Sequence, residues 1–161
     1  MFEPNLTMEE ANRFSRFDEN HPLSSVSPHG FELEGQFWPT AEHYYQAHKY
    51  EGLPMAKTIL AAASGSEAHV LGNRWFKRKA KGWKSNRRLW MTRALYRKTQ
   101  EHSEVKEALL ASGDELLIET SLYNHFWGIG RDQRGENTLG KIWMDIRTKV
   151  QPEPSVSESS T

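Results

Sequence analysis

Cysteine is absent from this chain of 161 residues. Disulfides and thiolate chemistry are therefore excluded, and a zinc site would need His and carboxylate ligands alone. His43 and His48 do not share one clean face of a helix, so they are a poor ligand pair. The sequence accordingly predicts no metal ion and no cofactor.

Long apolar runs are also missing. No stretch approaches the length of about eighteen apolar residues that a membrane-spanning helix needs. The first residues, MFEPNLTMEEANRF, have neither the basic start nor the apolar stretch of a signal peptide. We therefore expect a cytoplasmic protein with no membrane partner.

Acidic residues are absent between Glu67 and Glu101, although the whole chain is balanced at 21 basic and 21 acidic residues. The gap predicts a local positive surface. A solvated helix face, balanced by the acids of 101–119, and an anion-binding surface explain it equally well. The basic residues in the gap are Arg74, Lys77, Arg78, Lys79, Lys81, Lys84, Arg87, Arg88, Arg93, Arg97 and Lys98.

The first half of the chain predicts a hairpin followed by short helices. Alternation over 29–37 with a turn at Glu34-Gly35 is typical of a short hairpin. Thr40 is a good N-cap for a helix that Gly52 ends. Two further short helices are expected at 54–64 and 66–76.

The second half predicts longer helices. Ser85 can cap a helix over 86–102 whose core side is formed by Leu89, Trp90, Ala94 and Leu95. Another helix begins at Ser103 and is closed by Gly113, and a strand is possible at 116–120. The last helix, LGKIWMDIRTKV, has a core face of Leu139, Ile142, Trp143, Ile146 and Val150.

The predicted fold class is therefore α+β, a mostly helical single domain with a short N-terminal β-hairpin and a few short strands. It covers residues 1–150, and 151–161 are expected to form a disordered tail because QPEPSVSESST is polar and rich in Pro and Ser.

One helix face carries candidate chemistry. Three residues follow Glu42 at spacings of three, four and seven positions: Tyr45, Gln46 and Lys49. All four therefore share a face of the helix after Thr40. An exposed face with a Glu–Lys pair is the simpler explanation of this spacing. Glu42 lies in the first turn, where the helix dipole favours its anion and suits it to be a base, a nucleophile or a cation stabiliser.

A second candidate site is the loop YNHFWGIGRDQRGENTLG at 123–140. Glycines such as Gly128 allow the backbone to pass close to a ligand, and Asn137 or Thr138 can cap the last helix. The spacing is neither that of a dinucleotide fold nor that of a P-loop.

Three blocks together resemble the YbiA-like family, also called NADAR or DUF1768. They are FWPTAEHYYQAHKY (37–50), GWKSNRRLWMTRAL (82–95) and WGIGRDQRGENTLGKIWMDIR (127–147), and the resemblance covers roughly residues 14–150. It implies an N-glycosidase that hydrolyses ribosylaminopyrimidine phosphates of early riboflavin synthesis. Related members are associated with removal of ADP-ribose from guanine bases.

The resemblance also implies site residues. The family glutamate corresponds to Glu42 and its two tryptophans to Trp83 and Trp127, while its later signature falls on Asn137, Leu139, Gly140, Met144 and Arg147. Many relatives have an aspartate three residues before the loop tryptophan, and this chain has Asn124 there.

These residues suggest a mechanism. Glu42 would stabilise an oxocarbenium ion and orient water, and Lys49 acting as a Schiff-base nucleophile ranks second. Trp83 and Trp127 would flank the base, with Tyr45 and Asn124 beside them, and Asn137 and the loop amides, including that of Gly128, would hold ribose or phosphate oxygens. Arg74 or Lys81 would take the phosphate. We expect Glu42, Trp83, Trp127 and Asn137 to converge on one cleft.

Three functions follow from this pattern. The first is hydrolysis of a phosphorylated ribosyl-base small molecule, and the second is removal of ADP-ribose from guanine in nucleic acid. The third is a non-catalytic module that binds ADP-ribose, NAD or nucleic acid through the 74–98 segment and its tryptophans. Glu42 distinguishes them, because an anion binder has no use for a carboxylate in its pocket.

Overall fold

The computed structural model describes residues 11–152. Within that range the chain forms six helices and four short strands. The strands are β1 (Asn12–Phe14), β2 (Phe31–Leu33), β3 (Gln36–Trp38) and β4 (Leu117–Glu119). The helices are α1 (Ala41–His48), α2 (Pro54–Leu60), α3 (Gly65–Gly72), α4 (Trp83–Glu101), α5 (Ser103–Ala111) and α6 (Thr138–Val150). The predicted α+β class is confirmed, and the expected tail lies almost wholly outside the described residues.

The hairpin forms as predicted. β2 and β3 pair antiparallel, with Phe31 opposite Trp38 and Leu33 opposite Gln36. Glu34 and Gly35 both have positive φ, 56° and 77°, which is the backbone of a tight turn that matches the twist of the strands.

A second, two-stranded sheet joins distant parts of the chain. β1 pairs parallel with β4, and Asn12, Arg13 and Phe14 lie opposite Leu117, Ile118 and Glu119. The pairing places the segment after β1 next to the segment after β4. These two segments form one side of the candidate site.

Helix α1 lies at the centre of the molecule. It contacts α2, α3, α4 and β3, and every residue from Ala41 to Ala47 is buried. The interpretation of its polar residues as an exposed surface face is therefore wrong. Polar side chains on a helix enclosed on all sides need partners within the protein.

Several predicted boundaries need correction. The helix expected at 66–76 spans Gly65–Gly72, so 73–82 is a loop, and Ser64 caps this helix by accepting a hydrogen bond from the backbone N–H of Glu67. α4 begins at Trp83 after Gly82, whose φ of 76° makes the turn, and Ser85 lies inside the helix. Leu89 was expected in the core but is 49% exposed, because it faces away from the side that buries Trp90.

The last helix begins at Thr138, and its predicted core face is buried except that Val150 is half-buried. Neither proposed cap operates. Asn137 adopts a left-handed backbone with φ of 51° and makes no side-chain cap, because its amide is bonded elsewhere. No helix among residues 11–152 is long and apolar enough to cross a membrane.

Candidate active site

Glu42 lies at the base of the site and is completely buried. Thr40 starts α1, and its hydroxyl accepts a hydrogen bond of 3.1 Å from the backbone N–H of His43. This cap places Glu42 in the first turn, where its own N–H donates to the carbonyl of Ser25 at 2.9 Å. The carboxylate therefore points into the protein with its backbone already fixed.

Four side chains donate to this carboxylate. Arg16 donates from one guanidinium nitrogen to both oxygens, at 2.8 and 3.1 Å. Ser25 Oγ and Gln46 Nε2 each donate at 2.6 Å, and His69 Nδ1 lies 3.0 Å from Oε1. The network satisfies both oxygens of a group that could not otherwise remain ionised in the core.

The balance of forces keeps Glu42 ionised. Burial alone would raise its pKa, but the Arg16 charge and the His69 contact outweigh burial, so the pKa of Glu42 lies well below its usual range. At neutral pH, Glu42 is an anion neutralised by Arg16. It is not a proton donor.

Arg16 reaches Glu42 because of the parallel strand pair. It lies two residues after the end of β1, and its backbone N–H donates to Glu119 Oε1 at the end of β4, at 3.0 Å. Glu119 is itself buried and also accepts from Ser121 N and Ser121 Oγ. One carboxylate thus fixes the Arg16 backbone, and the other fixes its guanidinium.

A small cavity of about 90 Å³, which we call the inner cavity, lies above this network. The side chain of Lys49 projects into it from the end of α1, with Nζ 5.0 Å from the ring centre of Tyr45 and 4.9 Å from that of Trp83. Nζ also donates to Asn73 Oδ1 at 3.2 Å. The cavity is lined by Arg16, Tyr45, Gln46, Lys49, His69, Asn73, Trp83, Arg87, Asn124 and Trp127.

Lys49 is one of the titratable groups that line the cavity. Burial lowers its pKa to about 7, and Arg16, Lys79 and Arg87 add to this effect, while Glu42 opposes it. Near neutral pH a large fraction of the side chain is therefore an unprotonated amine. A neutral amine in a cavity is a competent nucleophile or base.

Two buried polar atoms of residues that line the inner cavity lack partners. Among the described residues, Arg16 Nε and Gln46 Oε1 have no hydrogen-bond partner. Such atoms in native proteins are normally satisfied by water or by a ligand.

A wider opening of about 600 Å³, the outer groove, adjoins the inner cavity. The two share His69, Asn73 and Asn124 as lining residues. The rest of the outer groove is formed by Ser15, Phe17, Thr120, Ser121, Leu122 and Tyr123. The segments that follow β1 and β4 therefore build this groove.

The structure brings several of the sequence-predicted residues together. Five of them line the inner cavity: Lys49, Tyr45, Trp83, Asn124 and Trp127. Glu42 lies beneath the cavity, and its carboxylate binds Arg16, which is itself a lining residue. The guanidinium of Arg16 also lies 5.6 Å from the ring centre of Trp127.

Asn124 holds the loop tryptophan in place. Its Oδ1 accepts hydrogen bonds from the backbone N–H groups of Phe126 and Trp127, at 2.9 and 2.8 Å. An aspartate oxygen would accept the same two bonds, so the asparagine can keep the loop geometry without a second carboxylate.

Other predicted residues are placed outside the lining of the inner cavity. Asn137 donates from Nδ2 to Leu117 O and accepts at Oδ1 from Glu119 N, which ties α6 to β4. A side chain at Gly128 would collide with the Glu119 carboxylate, so this glycine permits close packing within the protein. Arg74 and Lys81 are exposed in the 73–82 loop. A ligand role for these four residues stays a prediction.

Four lining residues were missed by sequence reasoning: Arg16, His69, Asn73 and Arg87. His69 and Asn73 are spaced as neighbours on one face of α3 and its end, a signal that was available. Arg87 was recognised only as part of the basic segment, and its guanidinium lies 3.3 Å from the ring centre of Phe126. Arg16 has no local signal, since only the strand pairing brings it to Glu42.

Taken together, the fold and site define a small α+β protein with a cavity that is lined by cationic side chains. One of these side chains is Lys49, whose pKa is lowered to about 7. Among the described residues, no group of three or more His, Asp or Glu side chains is arranged to hold a metal ion. The chain belongs to the NADAR family, because the NADAR domain model matches residues 5–151.

Named relatives agree with this assignment. The N-glycosidase Npun_R5314 of Nostoc punctiforme is 38% identical over 131 residues, covering 80% of this chain and 84% of that protein. The N-glycosidase YbiA of Escherichia coli is 30% identical over 139 residues, covering 86% and 87%. The riboflavin biosynthesis protein VVA0006 of Vibrio vulnificus is 33% identical over 145 residues, and the match spans 89% of this chain but only 40% of that protein.

The fold is also that of a solved relative. The NMR structure of the E. coli protein YbiA superposes with a TM-score of 0.76 at 30% identity, covering 89% of this chain and 86% of that one.

Proposed function

We propose that this protein hydrolyses the C–N bond between a ribose and a nitrogenous base in a phosphorylated ribosylamine. Relatives that match most of this chain are named N-glycosidases, and another is named a riboflavin biosynthesis protein. These names support a hydrolase that acts on N-glycosyl compounds. A ribosylaminopyrimidine phosphate is the substrate that we assign to it.

The charge of the inner cavity supports an anionic substrate. Arg16, Lys49 and Arg87 line it, whereas the Glu42 carboxylate is covered by its donors. Arg16 is neutralised by Glu42, so Arg87 and the protonated fraction of Lys49 provide the net attraction. A phosphate near Arg87 would leave the sugar next to Lys49.

The observation that carries the mechanism is the position of Lys49 Nζ in the inner cavity, 5.0 Å from the ring centre of Tyr45 and 4.9 Å from that of Trp83, where burial lowers its pKa to about 7. We assign Lys49 the role of nucleophile. Its Nζ lone pair forms a bond to the anomeric carbon while the bond from that carbon to the base nitrogen breaks. One proton passes from Nζ to the departing base nitrogen, so the base leaves neutral.

The second half of the reaction releases the enzyme. A further proton moves from Nζ to the ring oxygen, the sugar ring opens, and a Schiff base joins the former anomeric carbon to Lys49. Water then adds to that carbon, and the C–N bond to Lys49 breaks. The products are the free base, the sugar phosphate and the original amine, with one water consumed.

Glu42 is a positioning residue in this scheme. Its oxygens are occupied by Arg16, Ser25, Gln46 and His69, so direct contact with the sugar would require one of these donors to leave. We therefore rank Lys49 before Glu42, the reverse of the order expected from sequence. The Glu42 charge holds Arg16 in place and sets the field around Lys49.

Removal of ADP-ribose from guanine in nucleic acid is the second candidate. It is favoured by the exposed loop next to the cavity, where Trp75 is 89% and Phe76 58% exposed beside Arg74, Lys77 and Arg78. Exposed aromatic and basic side chains together suit a single nucleic-acid strand. A non-catalytic binding module would use the same loop.

One experiment distinguishes these functions. The pure protein is incubated with a ribosylaminopyrimidine phosphate and, separately, with guanine-ADP-ribosylated DNA, and released ribose phosphate or ADP-ribose is measured. Release from the first substrate supports our proposal, and release from the second alone transfers the assignment to nucleic acid. Tight binding of ADP-ribose without any cleavage would support the binding module.

Reductive trapping tests the mechanism independently. Cyanoborohydride added during turnover should fix the sugar to Lys49, and peptide mass spectrometry locates the adduct. Lys98 is a built-in control, because it is another buried lysine whose pKa is also lowered to about 7 but which lines no cavity described here. Turnover without any adduct on Lys49 would return the leading role to Glu42.

A further inference from the structure

Among residues 11–152, His69 is the one histidine that lines both the inner cavity and the outer groove. It lies in the last turn of α3, and 30% of its side chain is exposed. In the reaction proposed above it has no role beyond its contact with Glu42. Its place at the junction of the two spaces puts an imidazole next to any ligand that extends from one into the other.

The ring nitrogen Nδ1 of His69 is used by the buried network. It lies 3.0 Å from Glu42 Oε1, and because the ionised carboxylate can only accept, Nδ1 carries the proton of this bond. The amide nitrogens of Gln46 and Asn73 also lie near Nδ1, at 3.4 and 3.3 Å. Each of them makes a shorter bond elsewhere, at 2.6 Å to Glu42 Oε1 and at 2.7 Å to the His69 carbonyl. In the neutral ring the lone pair is therefore on Nε2.

The other ring nitrogen, Nε2, is open. It has no hydrogen-bond partner among the described residues, whose buried side-chain atoms without a partner are only those of Arg16 and Gln46, so Nε2 is not buried. An edge contact with Phe17, with ring centres 4.7 Å apart, holds the imidazole from the side. A histidine with one nitrogen anchored on a carboxylate and the other free is the arrangement of a general acid–base catalyst.

Asn73 connects His69 to Lys49. Its Oδ1 accepts from Lys49 Nζ at 3.2 Å, and its Nδ2 donates to the carbonyl of His69 at 2.7 Å. All three residues line the inner cavity, which has a volume of only about 90 Å³. A sugar that is held next to Lys49 Nζ in so small a space therefore lies beside the imidazole as well.

The proposed reaction needs a proton carrier. One proton has to move from Lys49 Nζ to the departing base nitrogen, and both nitrogens are joined to the anomeric carbon while the bonds exchange. A direct N–H···N transfer would be bent far more sharply than a hydrogen bond tolerates. Among the titratable residues that line the inner cavity, the arginines cannot release a proton, and burial raises the pKa of Tyr45. Apart from Lys49 itself, His69 is the residue that remains.

We propose that His69 is a catalytic residue that carries this proton from Lys49 to the leaving base. The inference rests on the proposed N-glycosidase function. The Nε2 lone pair takes one proton from Nζ as Nζ bonds to the anomeric carbon. The same proton passes to the base nitrogen as the bond from that nitrogen to the carbon breaks, so His69 ends neutral, as it began. Glu42 contributes by holding Nδ1, which keeps Nε2 free.

The substitution His69→Asn tests this role. The amide nitrogen of asparagine can replace Nδ1 as the donor to Glu42, but nothing replaces Nε2. With a ribosylaminopyrimidine phosphate, kcat should fall about 10²-fold or more, the scale of general acid–base catalysis, while KM changes little. His102→Asn is the matched control, because His102 lines neither the inner cavity nor the outer groove, and it should leave kcat unchanged. Circular dichroism establishes that both variants are folded.

Chemical rescue separates a proton carrier from a structural contact. His69→Ala leaves space at the junction, and free imidazole added to this variant should restore part of kcat in proportion to its concentration. Pyrazole has nearly the same size and shape but is a far weaker base, so it fills the space without carrying the proton and should restore little.

Three results would overturn the proposal: near-normal kcat in His69→Asn, equal rescue of His69→Ala by imidazole and pyrazole, or no rescue by imidazole. Each of them requires an unaltered protein that is active, and each leaves the proposed function in place. An unaltered protein that hydrolyses neither of the two substrates named above would instead remove the proposed function, and this inference with it, so the two failures are distinguishable.

Discussion

Two lysines, Lys49 and Lys98, are buried in this protein, and burial lowers the pKa of each to about 7. Lys98 is completely enclosed, and its Nζ donates to the carbonyl of Ser24 at 2.7 Å and to Ser27 Oγ at 2.6 Å. The Nζ of Lys49, in contrast, donates to the side-chain oxygen of Asn73, and Lys49 lines the inner cavity.

The difference lies in access and partners. Lys98 lines neither the inner cavity nor the outer groove. Its hydrogen bonds hold the buried segment that contains Ser25, whose hydroxyl donates to Glu42. Lys49 has aromatic rings beside it and space in front of it. A shifted pKa therefore does not mark a reactive group by itself, and the cavity is what separates a nucleophile from a structural amine.

The largest expected effect separates the two lysines by activity. Lys49→Met should lower turnover at least about 10³-fold because the nucleophile is gone. Lys98→Met should lower the turnover of folded molecules by less than about tenfold, because Lys98 reaches the site only through the backbone. Steady-state rates, normalised to folded protein by circular dichroism, provide the measurement. Equal losses in both variants would remove the distinction.

Glu42→Gln should have the next largest effect. The change keeps the shape of the side chain but removes the charge that balances Arg16, so turnover should fall about 10²-fold with little change in substrate affinity. Separate determination of kcat and KM makes this visible. Near-normal kcat would show that the buried ion pair serves stability alone.

The pH dependence of the rate should show which lysine acts. The pKa of Lys49 is lowered to about 7, and its reactive form is the neutral amine, so kcat/KM should rise about tenfold per pH unit below pH 7 and level off above it. Lys98→Met should leave this profile in place. A midpoint that moves in Lys98→Met would mean that the wrong lysine had been assigned.

The pH dependence of stability should show the smallest effect, and both lysines contribute to it because the pKa of each is lowered to about 7. Below about pH 7 both the folded and the unfolded chain hold the Lys98 proton, so this group adds no pH dependence. Between about 7 and the ordinary value of 10.5 only the unfolded chain keeps it, so the free energy of unfolding rises with pH.

Denaturant titrations at several pH values measure this rise. Lys98→Met should reduce its slope by at most about 1.4 kcal/mol per pH unit. An unchanged slope would show that Lys98 titrates at its ordinary pKa in the folded protein.

Local patterns in the sequence predicted the parts of the fold that depend on neighbouring residues. The Glu34-Gly35 turn and the Thr40 cap are local signals, and both are confirmed. The helical spacing that placed Glu42 and Lys49 on one face was also sufficient to bring both to the site region. Spacing could not show that this face is buried, because burial depends on how α2, α3 and α4 pack around α1.

Two of the features that sequence reasoning missed depend on long-range pairing. Arg16 lies 26 residues from Glu42, and no periodicity connects them. Asn137 looked like a helix cap, but its amide is used by strand β4, a partner that only the tertiary structure provides. The start of α4 at Trp83 was also missed, although it depends on a local feature, the left-handed turn at Gly82.

The parallel pairing of β1 with β4 has a consequence for protein synthesis. The Arg16 backbone is fixed by Glu119, which lies 103 residues further along the chain. A growing chain on the ribosome can fold α1 and its local neighbours early, but it cannot complete the floor of the cavity until β4 has emerged. Contacts of such long sequence separation form slowly and late. A nascent chain should therefore acquire its structure in two stages, with ligand binding confined to the second.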